Sequence, residues 1–147
     1  MRGTRITVKN KVKTRTLTVL VTVGCLLALG SALAHHSDAE FNLEQLVTLE
    51  VTVIRVEYVN PHMLIHFDVK NIEPERWTAY GGPPNRMARV GWTSQTVKSG
   101  EQLTVTGFPS KYGKKTMLFV KLVRANGEAI PLPDTLTGFA TRRGLKP

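Results

Sequence analysis

Cysteine is nearly missing from this chain. Cys25 is the one thiol among 147 residues, so no intramolecular disulfide can staple the fold. Metal sites built from several thiolates are excluded with it. Aromatic residues make up only 7%, little material for a base-stacking surface. No G-x-S-x-G, no glycine-rich phosphate loop and no C-x-x-C occurs, and those are the local signatures of activated nucleophiles, phosphate cradles and redox pairs. The acids are scattered. We assign no catalytic residue and expect a non-enzymatic protein. Internal repeats and low-complexity runs are also missing.

Acidic residues are absent from the first 34 positions, which hold Arg2, Arg5, Lys9, Lys11, Lys13 and Arg15. That uneven placement changes the meaning of the formal charge of +9. Residues 35–147 carry 14 of the 20 basic residues and all 11 acidic ones, a net of +3. Such a balance does not call for a nucleic-acid partner.

Residues 1–34 read as a secretory signal: a long basic start, an apolar run from Leu17 to Leu29, then Ala32-Leu33-Ala34. Small side chains at the first and third of these places are what a signal peptidase accepts. Cleavage after Ala34 would make His35 the first residue of the exported protein. Gly30-Ser31-Ala32 is the competing site. The alternative is a retained anchor, since Leu17–Ala34 reaches 18 residues, at the short end for a membrane span. Lipidation at Cys25 fits poorly, because the apolar stretch continues beyond it. Contact with a membrane is expected only through this segment, where it is kept. Without it the chain has no cysteine, and 113 residues must fold on an apolar core alone.

Residues 35–45 form a polar lead-in. The domain proper is expected over 46–133. Val47, Leu49, Val51 and Val53 alternate with polar residues, and the apolar parity then flips to Ile54, Val56 and Tyr58. A one-residue flip inside a continuous strand is the mark of a β-bulge. The stretch 46–59 therefore reads as one long bent strand, ended by Asn60-Pro61.

Met63, Ile65, Phe67 and Val69 give a second strand its inner face, with Leu64, His66, Asp68 and Lys70 outward. A third strand covers 76–81, and one of Trp77 and Tyr80 should point inward. The segment 84–92 suggests a short helix, stopped by Gly91 and packed by Trp92. A fourth strand covers 101–108, with Leu103 and Val105 inward. A fifth covers 116–124, with Leu118, Val120 and Leu122 on one face. Asn126-Gly127 signals a hairpin that would return 128–132 as a short edge strand. Residues 134–147 read as a flexible basic tail. The sum is mainly β: a small OB-like barrel of five to six strands, with one short helix between the third and fourth.

All four histidines lie beyond the signal segment. As a first residue, His35 would carry an α-amine with a pKa of about 8. Its imidazole could join that amine in one chelate ring, with His36 or His62 adding a further nitrogen. Nitrogen-rich sets of this kind favour Cu(II). The competing reading makes His35-His36 a tolerated polar start and His62 a turn residue.

His62 and His66 have the H-x-x-x-H spacing, but on a strand four residues span about 13 Å. They cannot share one metal. His66 and Asp68 share the outward face, where such a pair either orients an imidazole or is solvated surface. With Tyr80 they would form the ligand face of an OB-type module that binds a polymer or a partner protein. Trp77, Trp92 and Tyr112 add little to stacking, and Lys111, Lys114 and Lys115 read as a solubilising loop. An envelope structural protein without a ligand is the third reading.

The stretches "AHHS", "VTLEVTVIRVEYVNPH", "PPNRMARVGW" and "KSGEQLTVTG" resemble a family of small secreted bacterial proteins carrying a domain of unknown function. The matching positions are His35, His36, Asn60, Pro61, His62, Trp77, Pro84, Asn85, Gly91, Trp92 and Gly100. Pro83, Ser99, Glu101 and Asp38 depart from the pattern, which usually has Ser, Pro, Asp and an aromatic there. The resemblance implies a periplasmic location and a compact β domain. It implies no particular activity.

Overall fold

The computed structural model describes residues 40–147 except Ile72 and Pro74. Five strands close into a barrel: β1 (Val47–Glu57), β2 (Leu64–Val69), β3 (Glu75–Tyr80), β4 (Gln102–Pro109) and β5 (Thr116–Arg124). Their order around the barrel is β1-β2-β3-β5-β4, with β4 returning to β1. All neighbours are antiparallel except β3 and β5. Helix α1 (Pro84–Ala88) lies between β3 and β4, and α2 (Asp134–Thr141) follows β5. This is the expected OB-like architecture.

The parity flip in β1 is a bulge. Val53 pairs with Phe67 and Arg55 with His66, which leaves Ile54 as the extra residue. The bend lets one strand serve both halves of the closure. Residues 47–52 pair with β4, and residues 51–57 with β2. Val51, Val53, Met63, Ile65, Phe67 and Val69 fill the interior together with Leu103 and Val105.

A second bulge corrects the expectation for β5. Lys121 pairs with Thr106 and Phe119 with Gly107, so Val120 is the extra residue. The inward side is therefore Met117 and Phe119 before the bulge and Leu122 after it, instead of Leu118, Val120 and Leu122. Leu118 faces the other way, yet it is only 6% exposed. Tyr80, Leu118 and Phe108 stand side by side across β3, β5 and β4. Phe41 packs on Tyr80 of that row, with ring centroids 5.7 Å apart. The lead-in thus supplies an apolar cover outside the barrel. Its backbone is fixed there by Asn42 N–H to the Pro109 carbonyl and Lys111 N–H to the Glu40 carbonyl.

Gly107 is required at this bulge, because a Cβ would collide with the Leu118 carbonyl oxygen. Gly91 ends α1 with φ +88°, a conformation open to glycine. Trp92 then packs back, donating its backbone N–H to Met87 and its indole N–H to the Pro131 carbonyl.

Two further expectations are corrected. The hairpin turn at Asn126-Gly127 forms, but the returning edge strand shrinks to one bridge, Val123 with Ala129. Pro131 has no N–H to extend the ladder, and its carbonyl is held by Trp92. The barrel therefore has five strands. Residues 134–141 form α2 in place of a flexible tail, because Leu136 and Ala140 are buried in the core. The 3.6-residue period brings those two onto one face.

Candidate functional site

His35 and His36 lie outside the described residues. The two remaining histidines stand at opposite ends of one argument about partners.

His62 precedes β2 at the mouth of the barrel and is half-buried. Its Nδ1 lies 3.3 Å from the Gly81 carbonyl oxygen. A carbonyl only accepts, so Nδ1 carries the proton and Nε2 keeps its lone pair. Nε2 has no hydrogen-bond partner among the described residues. The acceptor is held firmly. Gly81 N–H donates to Met63 and Met63 N–H to Gly82, which continues the β2–β3 ladder past the strand ends. A side chain at Gly81 would run into Phe119 and Met63. The same mouth gathers other residues singled out in the sequence. The Tyr58 hydroxyl is shared between the carbonyls of Pro84, at 2.9 Å, and Trp92, at 3.3 Å. This ties the β1–β2 loop, with its Asn60-Pro61-His62, to the Pro84-Asn85 and Gly91-Trp92 segment.

His66 is closed on both sides. Its Nε2 lies 2.9 Å from Glu57 Oε1, and its Nδ1 lies 3.0 Å from the Thr78 hydroxyl. The carboxylate accepts from Nε2, and in the neutral ring the hydroxyl donates to Nδ1. Arg55 reaches the same carboxylate oxygen at 2.7 Å. The register explains the set. The bulge puts Arg55 opposite His66, and Thr78 faces His66 from β3.

Asp68 does not orient His66. It pairs with Arg76, its opposite number on β3, at 3.3 Å. Tyr80, the third residue of the expected ligand face, lies under Phe41. Trp77 takes the inward parity with Ala79 but remains half-buried at the barrel's edge. Its indole N–H donates to Glu75 at 3.2 Å, and the Lys115 ammonium sits 5.4 Å from its ring centre. Lys115 also pairs with Glu75, and Lys114 with Glu40. The hydrogen bond from Lys115, and next the one from Trp77, hold the Glu75 carboxyl below the usual carboxylate range.

Among the described residues no three His, Cys, Asp or Glu side chains come together as a metal site. His62 is thus a single available nitrogen. Sequence reasoning missed Glu57, Thr78 and Gly81 as partners. The first two follow from strand register once the bulge is placed. The Gly81 carbonyl carries no signal in sequence, since every residue has one.

No curated protein and no solved structure matches the chain. A model of one family matches residues 24–119, which takes in β1 to β4, α1 and the first part of β5. The chain belongs to that family, DUF6152, a family of unknown function.

Proposed function

We propose that this is an exported, non-enzymatic binding protein of the periplasm that takes Cu(II) through His35 as its first residue, with His36 or His62 completing the nitrogen set. One observation carries the reading. His62 donates Nδ1–H to a backbone carbonyl, and its Nε2 has no partner among the described residues, the arrangement in which metal-ligating histidines are held. The outward face of β2 and β3 supports a polymer-binding role less well, because His66, Asp68 and Tyr80 are each engaged.

The test is an intact mass of the exported protein, taken with and without Cu(II). The expected result is a chain beginning at His35 that gains one copper. Acetylating its α-amine, or replacing His35 and His36 by Ala, should abolish the gain. Binding should also weaken as pH falls and protons compete for the amine and imidazoles. Stoichiometric copper retained by the His35→Ala/His36→Ala protein would overturn the proposal, and so would a different first residue.

A further inference from the structure

Positive charge is unevenly balanced among the described residues. Arg55, Arg76, Lys114, Lys115 and Arg124 each meet a carboxylate: Glu57, Asp68, Glu40, Glu75 and Glu101. Lys70, Arg86, Arg89, Lys98 and Lys111 meet none among the described residues, but they are spread along the chain. The C-terminal end gathers its cations: residues 135–147 contain Arg142, Arg143 and Lys146 and no acidic side chain. All three are exposed, and none has a carboxylate partner among the described residues. The acid of α2, Asp134, stands at the helix's first turn. Eight residues of helix put about 12 Å between it and Arg142.

These cations do not trail away from the fold. Gly144 adopts φ +70°, and Leu145 N–H returns to the Ala140 carbonyl at 3.0 Å. The exposed Lys121 ammonium donates to the main-chain oxygen of Pro147 at 2.9 Å, which holds the end of the tail on β5. Both guanidiniums also lie over one ring. Arg142 is 5.4 Å and Arg143 5.7 Å from the centre of Phe139, which is half-buried. Thr137 of the same helix, with Leu132, Lys121 and Pro147, lines a shallow groove whose floor of Val120, Leu122 and Ile130 is buried.

The chemistry that fits is a plane of anions with apolar matter beneath. Arginine stems can lie along apolar surface while their heads stay at phosphate level, and half-buried Phe139 supplies that surface. A single strand of nucleic acid would call for stacking faces along a groove, whereas the ring here is already covered by guanidiniums. We propose that the C-terminal end of α2 and the folded-back tail form a docking surface for a membrane rich in anionic phospholipids. The patch lies beyond the family match, which ends at residue 119, and it is independent of the copper reading.

Flotation of the protein beginning at His35 with phosphatidylcholine vesicles, with or without phosphatidylglycerol, tests this. Binding is expected only with phosphatidylglycerol, and it should weaken as salt is raised. Replacing Arg142, Arg143 and Lys146 by Glu should reduce it by about tenfold or more, with circular dichroism confirming an intact fold. A matched change of Lys70, Lys98 and Lys111 to Glu should leave most of it. The proposal is overturned by no binding to phosphatidylglycerol vesicles, by equal loss in both variants, by displacement with free inorganic phosphate, or by tighter binding to a single-stranded oligonucleotide.

Discussion

The mouth of the barrel and its outer face each hold one histidine, four residues apart in the chain. At the mouth, the backbone fixes one nitrogen of His62, and among the described residues the other has no partner. On the face, side chains from two neighbouring strands occupy both nitrogens of His66. The same residue type thus becomes a candidate ligand in one place and a cross-strand fastener in the other. What differs is the number of side chains that the sheet register delivers to it. A histidine between two strands gains partners from both, while one beyond the strand end meets mostly backbone.

The largest expected effect comes from disturbing the mouth itself. In Gly81→Ala the new methyl would lie 2.5 Å from the Phe119 ring and 2.7 Å from Met63 Cγ. Both neighbours are fully buried, so overpacking should cost about 1–3 kcal/mol, read from chemical denaturation. The carbonyl that orients His62 would shift with it. An unchanged denaturation midpoint would show that the mouth yields more easily than its packing implies.

Next come the two histidines in parallel. His66→Ala removes two hydrogen bonds from a part-buried site and should cost about 1–2 kcal/mol, with copper binding intact. His62→Ala should lower copper affinity by about tenfold or more with a smaller loss of stability. Copper titration and denaturation of both proteins would reveal the pattern, and the opposite assignment would dissolve the comparison.

Smaller effects should separate the ion pairs of the outer face. Glu57 serves Arg55 and the 15% exposed His66 together, whereas Asp68 meets one guanidinium that is 70% exposed. Glu57→Gln should therefore cost about 0.5–1 kcal/mol, and Asp68→Asn, at a solvated pair, less than about 0.5 kcal/mol. Equal losses would mean that His66 contributes nothing to holding Glu57.

The smallest expected signal concerns Glu75 and the Trp77 environment. The Glu75 carboxyl is held below its ordinary value of 4.5, first by Lys115 and then by Trp77. Its stabilising contribution is therefore complete above that ordinary value and is lost as pH falls through the lower folded one. Tryptophan emission should show a transition below the ordinary carboxylate range, absent in Glu75→Gln. A transition that persists in that variant belongs to another group.

Much of the fold was legible because alternation is a local property. The parity flip at Ile54 marked the first bulge, and the run Met63 to Val69 marked an inner face. The second bulge, at Val120, was hidden. The segment from Met117 to Val120 is apolar at every position, so parity could not show where the extra residue falls. The two-sided burial behind that run involves elements outside the strand: α2 packs against β5, and Phe41 covers the neighbouring Tyr80. Helix α2 was hidden by its composition. Threonines, a glycine and arginines resemble a tail until Leu136 and Ala140 find the core. The site was half legible. His62 stood out beside Asn60-Pro61, but its orientation rests on a carbonyl that no residue type advertises.

The sequence by itself determined the alternating strands, the first bulge, the turn at Asn126-Gly127 and the absence of an intramolecular disulfide. These depend on neighbours along the chain, where side-chain parity and backbone freedom act. Only the tertiary structure decided which histidine keeps an open nitrogen, which aromatic is covered and where positive charge goes unanswered. Each of those depends on groups that barrel closure brings together from distant positions, and pairing across a sheet is set by register rather than by order.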